Sequence, residues 1–156
     1  MKNQLTFVYG PMGSSKTATA LMERFEYIQK GFGVTLLKPA LDTRDGITII
    51  RSRIGLEAEA QVVYPATDIV LLVKNAGNSI VIVDEAQFLS ESQVEILREL
   101  ADSGYDVICY GLKTDFQTNL FEGSNLLTNN LEWLNATIYR AIPSCTRNLA
   151  RLDLEE

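Results

Sequence analysis

Two short stretches of this chain carry residue types at a spacing that could handle phosphate. The first, residues 5–17, reads LTFVYGPMGSSKT: an apolar run, a Gly-Pro turn, and Lys16-Thr17 opening a helix-prone segment. Strand, glycine-containing loop, Lys-Thr and helix is the order of a P-loop. A triphosphate needs many donors close together. A loop running into a helix offers unpaired backbone N–H groups and the positive end of the helix dipole. Lys16 then sets an ammonium against the β- and γ-phosphates, and the Thr17 hydroxyl is a ligand for Mg²⁺. The pattern G-x-x-x-x-G-K-[ST] is kept at Gly10, Lys16 and Thr17, with Pro11, Met12, Gly13 and Ser14 between, and is broken at Ser15, where the second glycine belongs. A Cβ narrows the backbone choices at Ser15, so Gly13 is expected to absorb the sharp turn. The plain alternative is a Gly-Pro loop ahead of an ordinary helix.

The second stretch is SIVIVDE at residues 79–85. An unbroken β-branched run fits a central parallel strand with both faces covered. Ligands of open α/β sheets collect at the carboxyl ends of strands. Asp84 is therefore expected beside the phosphates, holding Mg²⁺ directly or through water. Glu85 follows as a carboxylate able to take a proton from an attacking hydroxyl or water. The alternative is a strand that merely ends in solvent; Phe88 close behind and the upstream loop both favour a site.

These side chains need a frame, and the rest of the chain supplies one. Residues 16–30 place Ala20, Leu21, Phe25 and Ile28 at mostly helical spacing before Gly31. Strands are expected at 34–37, at 48–52 (more polar, hence peripheral), at 61–64, at 107–112 and at 136–142. Thr67-Asp68 caps a short apolar helix at 69–74, and Ser90 with Gln93 forms a capping box ahead of a helix at 91–101, ended by Gly104. A short helix is expected at 123–130 and a mostly acidic tail at 151–156. Strands alternating with helices argue for an α/β fold, P-loop NTPase-like, with a mainly parallel sheet flanked by helices. With no repeat or linker, residues 1–156 read as one domain.

Composition narrows the partners. A net charge of −6 lacks the clustered cations of a nucleic-acid footprint. No signal-peptide pattern and no stretch of membrane-spanning length stands in the sequence, so a cytoplasmic protein without membrane partners is expected. Two cysteines cannot make a disulfide framework, and Cys109 in an apolar run reads as a buried, inert thiol. With no histidine, the chain has too few ligands for a zinc site.

Five blocks together carry a resemblance. They are Gly10-Pro11-Met12 with Lys16-Thr17; Lys38-Pro39 with Asp42-Thr43-Arg44; Ser52-Arg53-Ile54-Gly55; Asp84-Glu85-Ala86-Gln87-Phe88; and Tyr110-Gly111-Leu112-Lys113-Thr114-Asp115-Phe116. In this order, over nearly the whole chain, they resemble the zinc-containing thymidine kinase family. The resemblance implies ATP-dependent phosphorylation of thymidine at its 5′-hydroxyl to give dTMP, with ATP and Mg²⁺ as cofactors and a nucleoside as the small-molecule partner. It makes Glu85 the general base, Asp84 and Thr17 the Mg²⁺ residues, and Gly10 to Thr17 with Asp84 and Gln87 the nucleotide side. Arg44, with Asp42 beside it, stands near the transferred phosphate. Met12, Phe88, Leu112, Phe116 and Phe121 become the wall around the base, where a flat ring wants aromatic faces and apolar edges. A homo-oligomer, tetramer or dimer, is implied as well.

The resemblance thins toward the end of the sequence. Family members carry two cysteine pairs around zinc and a lasso loop that closes over the base. Here Cys145 alone stands near the first pair, with Pro143 or Ile142 in its partner's place, and Glu156 comes before the second pair or the lasso. No zinc is expected. Three readings stand: a shortened chain, a minimal kinase that takes its lid from elsewhere, or an ATP-binding relative with weak or no kinase activity. A motor-type ATPase is a further alternative, since DEAQ resembles a motor box; the acidic charge speaks against it.

Overall fold

The computed structural model describes residues 4–10, 15–40, 49–112 and 137–142. Six strands form one sheet: β1 (Leu5–Tyr9), β2 (Val34–Pro39), β5 (Gln61–Val63), β6 (Ile80–Val83), β7 (Asp106–Gly111) and β8 (Thr137–Ala141). Their spatial order is β5-β2-β6-β7-β1-β8, and every neighbouring pair is parallel. Three helices accompany them: α1 (Lys16–Gln29), α2 (Ile69–Ala76) and α3 (Glu91–Asp102). The expected α/β architecture, a parallel sheet flanked by helices, is the one observed.

Alternation along the strands explains the layering, because successive side chains point to opposite faces. Val81 and Val83 join Leu5, Phe7, Val107 and Cys109 on one face, packed under Ile69 and Val73 of α2 and Val94 and Leu97 of α3. Ile80 and Ile82 join Val8, Ile108 and Tyr110 on the other, under Ala20 and Leu21 of α1. All four residues of β6 are buried, as a run with helices on both sides requires. Cys109 is fully buried, and that burial pushes its thiol up to about 12.

Local signals set the helix ends. The Ser90–Gln93 capping box forms in both directions, with Gln93 N donating to Ser90 Oγ at 3.2 Å and Ser90 N donating to Gln93 Oε1 at 2.9 Å. Asp68 alone caps α2, accepting from Leu71 N at 3.0 Å. Thr67 instead accepts from Tyr64 N, closing the preceding turn. Helix α2 runs two residues past the expected 74, to Ala76, and Gly77 stops it at φ +72°.

One expectation fails for a physical reason. Phe25 and Ile28 are exposed, at 59% and 40%. The inward stripe of the second half of α1 runs instead through Glu23 and Tyr27, since Glu23 accepts from the buried Tyr110 hydroxyl and pairs with Arg140 at 2.9 Å. The expected strand at 48–52 is β3 (Ile49–Arg51), and it stands outside the main sheet. It pairs antiparallel with β4 (Glu57–Glu59), which sequence patterning missed. An acidic Glu-Ala-Glu run has little strand propensity; Ile50 opposite Ala58 and an Arg51–Glu57 ion pair at 2.5 Å make the hairpin. The expected helix at 123–130, the tail and Cys145 lie outside the described residues.

Candidate functional site

Three strands bring their carboxyl ends to the same edge of the sheet. Tyr9 of β1 lies opposite Gly111 of β7, and Val83 of β6 lies opposite Cys109 of the same strand. Gly10, the Asp84-Glu85 pair and Leu112 therefore leave the sheet side by side. The point of contact is a hydrogen bond: Thr17 Oγ1 donates to Asp84 Oδ2 at 3.0 Å.

Ser15 adopts the left-handed conformation, φ 64° and ψ 32°, at the head of α1. A glycine takes that region without penalty, whereas an L side chain there costs about 1–2 kcal/mol. The turn falls on the non-glycine residue itself, whatever Gly13 does. Ser15 leaves the first turn of α1 without a side-chain cap, and no acidic residue stands in that turn. Its N–H groups are thus presented at a positive helix end.

Asp84 is 4% exposed, and its backbone N–H donates to Leu37 O at 2.9 Å, which extends the β2–β6 pairing by one residue. Burial, then the neighbouring Glu85 carboxylate, push the Asp84 carboxyl up to about 6; the Thr17 hydrogen bond and the Lys38 ammonium pull the other way. Its oxygen and the Thr17 hydroxyl form a small, hard donor set. That suits Mg²⁺, which uses one or two carboxylates and takes its remaining ligands from phosphates and water.

Glu85 also has positive φ, 56°. Among the described residues, Ser15 and Glu85 are the two non-glycine residues in this region, and both border the same cleft. Strain concentrated in this way is a mark of a working site. After Glu85 the chain makes a single 3-10 turn, Ala86–Phe88, which sequence reasoning did not foresee. Gln87 is buried there, while Phe88 is 47% exposed.

The cleft measures about 350 Å³, within the range of small-molecule sites. Its floor is Ser15, Lys16, Thr17 and Ala18, and one wall is Glu85, Gln87, Phe88 and Leu112. It is also lined by Arg51 at the end of β3 and by Ser52, Arg53 and Ile54 of the turn that follows. Those four were not among the expected site residues, although Ser52-Arg53-Ile54-Gly55 is one of the blocks quoted above. The turn is firmly built: Ser52 N donates to Leu56 O at 2.8 Å, Leu56 N donates to Ser52 Oγ at 3.0 Å, and Gly55 takes φ +90°. Lys16, Arg51 and Arg53 bring three cations to this cleft in a chain of net charge −6.

Of the expected site residues, Ser15, Lys16, Thr17, Glu85, Gln87, Phe88 and Leu112 converge on the cleft. Asp84 meets Thr17 at its base, and Gly10 is buried at the end of β1. Pro11, Met12, Gly13, Ser14, Asp42, Arg44, Phe116 and Phe121 lie outside the described residues.

Comparison with known proteins adds an independent line. The family model for thymidine kinase matches residues 3–152. A thymidine kinase of Vibrio cholerae is 37% identical over 150 residues, 92% of this chain and 77% of that protein. One of Xanthomonas campestris pv. campestris (strain 8004) is 41% identical over 130 residues, 80% of this chain and 62% of its own length. The thymidine kinase of Enterobacteria phage T4 is 42% identical over 128 residues, covering 79% and 66%.

Proposed function

The chain belongs to the thymidine kinase family, and on that premise we propose that it transfers the γ-phosphoryl group of ATP to the 5′-hydroxyl of thymidine. The products are dTMP and ADP. The observation that carries this reading is the Thr17–Asp84 hydrogen bond at 3.0 Å, which brings the two stretches expected to handle phosphate into contact.

In this reading the N–H groups at the head of α1 and the Lys16 ammonium hold the β- and γ-phosphates. Arg53, which lines the same cleft, offers a second cation. Thr17 and Asp84 would hold Mg²⁺, which when bound would neutralise charge on the phosphates. Glu85 accepts the proton as the 5′-oxygen forms its bond to γ-phosphorus; the bond to the β,γ-bridging oxygen breaks, and its electron pair leaves with ADP. Phe88 and Leu112 give the base an aromatic face and an apolar edge. A cytoplasmic setting belongs to the same reading, and among the described residues no helix is long and apolar enough to cross a membrane. Self-association as a dimer or tetramer also belongs to it, supported by Met22, Phe25 and Phe32, each about half exposed.

The test is turnover with ATP, Mg²⁺ and thymidine, reading dTMP and ADP. Glu85→Gln should lower kcat by about 10²–10⁴-fold, the usual worth of a general base, and leave ATP affinity largely intact. ATP binding without dTMP would replace this reading with that of a nucleotide-binding module.

A further inference from the structure

Gln87 is 2% exposed, among the largest fully buried side chains, yet it is polar. A buried amide must find partners for both ends. Leu112 N, leaving the end of β7, donates to Gln87 Oε1 at 3.0 Å. A backbone N–H can only donate, so the oxygen of the amide has to face it. The nitrogen is thereby turned the other way, where Gln87 Nε2 donates to Glu85 Oε2 at 2.5 Å.

The neighbouring backbone is shaped around this side chain. A Cβ added at Gly111 would meet Gln87 Oε1 at 2.6 Å and the Gln87 and Ala86 backbone nitrogens at 3.1 and 3.3 Å. The turn that carries Glu85 and Gln87 is thus seated directly on the end of β7. Glu85 itself is held in the left-handed region. A glutamate on such a turn, next to the buried Asp84, would otherwise have a rotatable carboxylate and a like charge beside it.

We infer that Gln87 is a positioning residue, which pins one oxygen of the Glu85 carboxylate to the end of β7 and leaves the other to take the proton of the attacking hydroxyl. The inference rests on the proposed function. It moves Gln87 from the nucleotide contacts expected from sequence to a support behind the candidate base. Catalytic groups need this kind of backing, because small misplacements of a reacting atom cost large factors in rate.

The experiment compares the wild-type chain with Gln87→Met, which has no donor, and Gln87→Glu, which keeps an acceptor for Leu112 N–H but no donor toward Glu85. Both should lose about 10–100-fold in kcat, with the ATP dissociation constant of Gln87→Met close to wild type. In a Glu85→Asp background, where the shorter carboxylate no longer reaches the amide, Gln87→Met should cost less than about a further twofold, as coupled residues do. Unchanged kcat overturns the inference. So does a parallel fall of kcat, ATP affinity and melting temperature in both variants, or full additivity with Glu85→Asp. An experimentally determined structure with the Gln87 amide turned away from Glu85 overturns it without recourse to variants. A wild-type chain that binds ATP but forms no dTMP counts against the function, and that structure then decides the hydrogen bond alone.

Discussion

Ser15 and Glu85 hold left-handed backbone angles that a glycine would take freely, and at each the surroundings must supply the difference. For Ser15 the arithmetic can be tested. Relief of about 1–2 kcal/mol of steric cost, set against the extra unfolded-state entropy of a glycine, about 0.5–1 kcal/mol, leaves a small gain for Ser15→Gly. Thermal denaturation should show a melting temperature up by roughly 2 °C, and ATP affinity should be equal or better. A lower melting temperature would mean that the Ser15 side chain contributes more than the strain removes. The sequence marked Ser15 as a departure from the glycine pattern, since the phosphate-loop spacing is local and strict. It did not reveal that Glu85 is strained, because that angle depends on where β7 ends and on the room left at Gly111.

The β3–β4 hairpin is the element that patterning read least well. Its second strand alternates acid, alanine and acid, and only the pairing of Ile50 with Ala58 and of Arg51 with Glu57 makes it a strand. Capping boxes and β-branched runs are visible in sequence because their partners sit within one turn or on the same strand; a cross-strand ion pair is not. The hairpin nevertheless brings Arg53 to the cleft that Lys16 also lines. Arg53→Ala should therefore raise the KM for ATP by about tenfold, the worth of one charge-assisted hydrogen bond, with no change in melting temperature because Arg53 is exposed. Steady-state kinetics across ATP concentrations checks this. An unchanged KM would take the hairpin out of the nucleotide site.

Across the whole molecule, the order of strands was open from sequence, while the α/β class and the nearness of the two phosphate motifs were legible. The class follows from alternation of strands and helices, and the order follows from contacts between residues far apart in the chain. One such contact ties three elements together: Tyr110 of β7 donates to Glu23 of α1, which pairs with Arg140 of β8. Removing the hydroxyl in Tyr110→Phe should cost about 1–2 kcal/mol, since hydrogen bonds to charged groups are the stronger kind, and lower the melting temperature by roughly 5 °C. Calorimetry decides it, and no change would mean that the Arg140 pair alone satisfies Glu23.

The strand order has a consequence for how the protein comes into being. The first strand of the chain sits between two that are made late, with Leu5 opposite both Val107 and Thr137. When Lys16 and Thr17 have left the ribosome, neither sheet neighbour of β1 has yet been made. The meeting of Thr17 with Asp84 must arrive late in synthesis, when β7 emerges to lie between β1 and β6. Until then an apolar strand is left waiting, a stage at which a nascent chain is open to wrong partners.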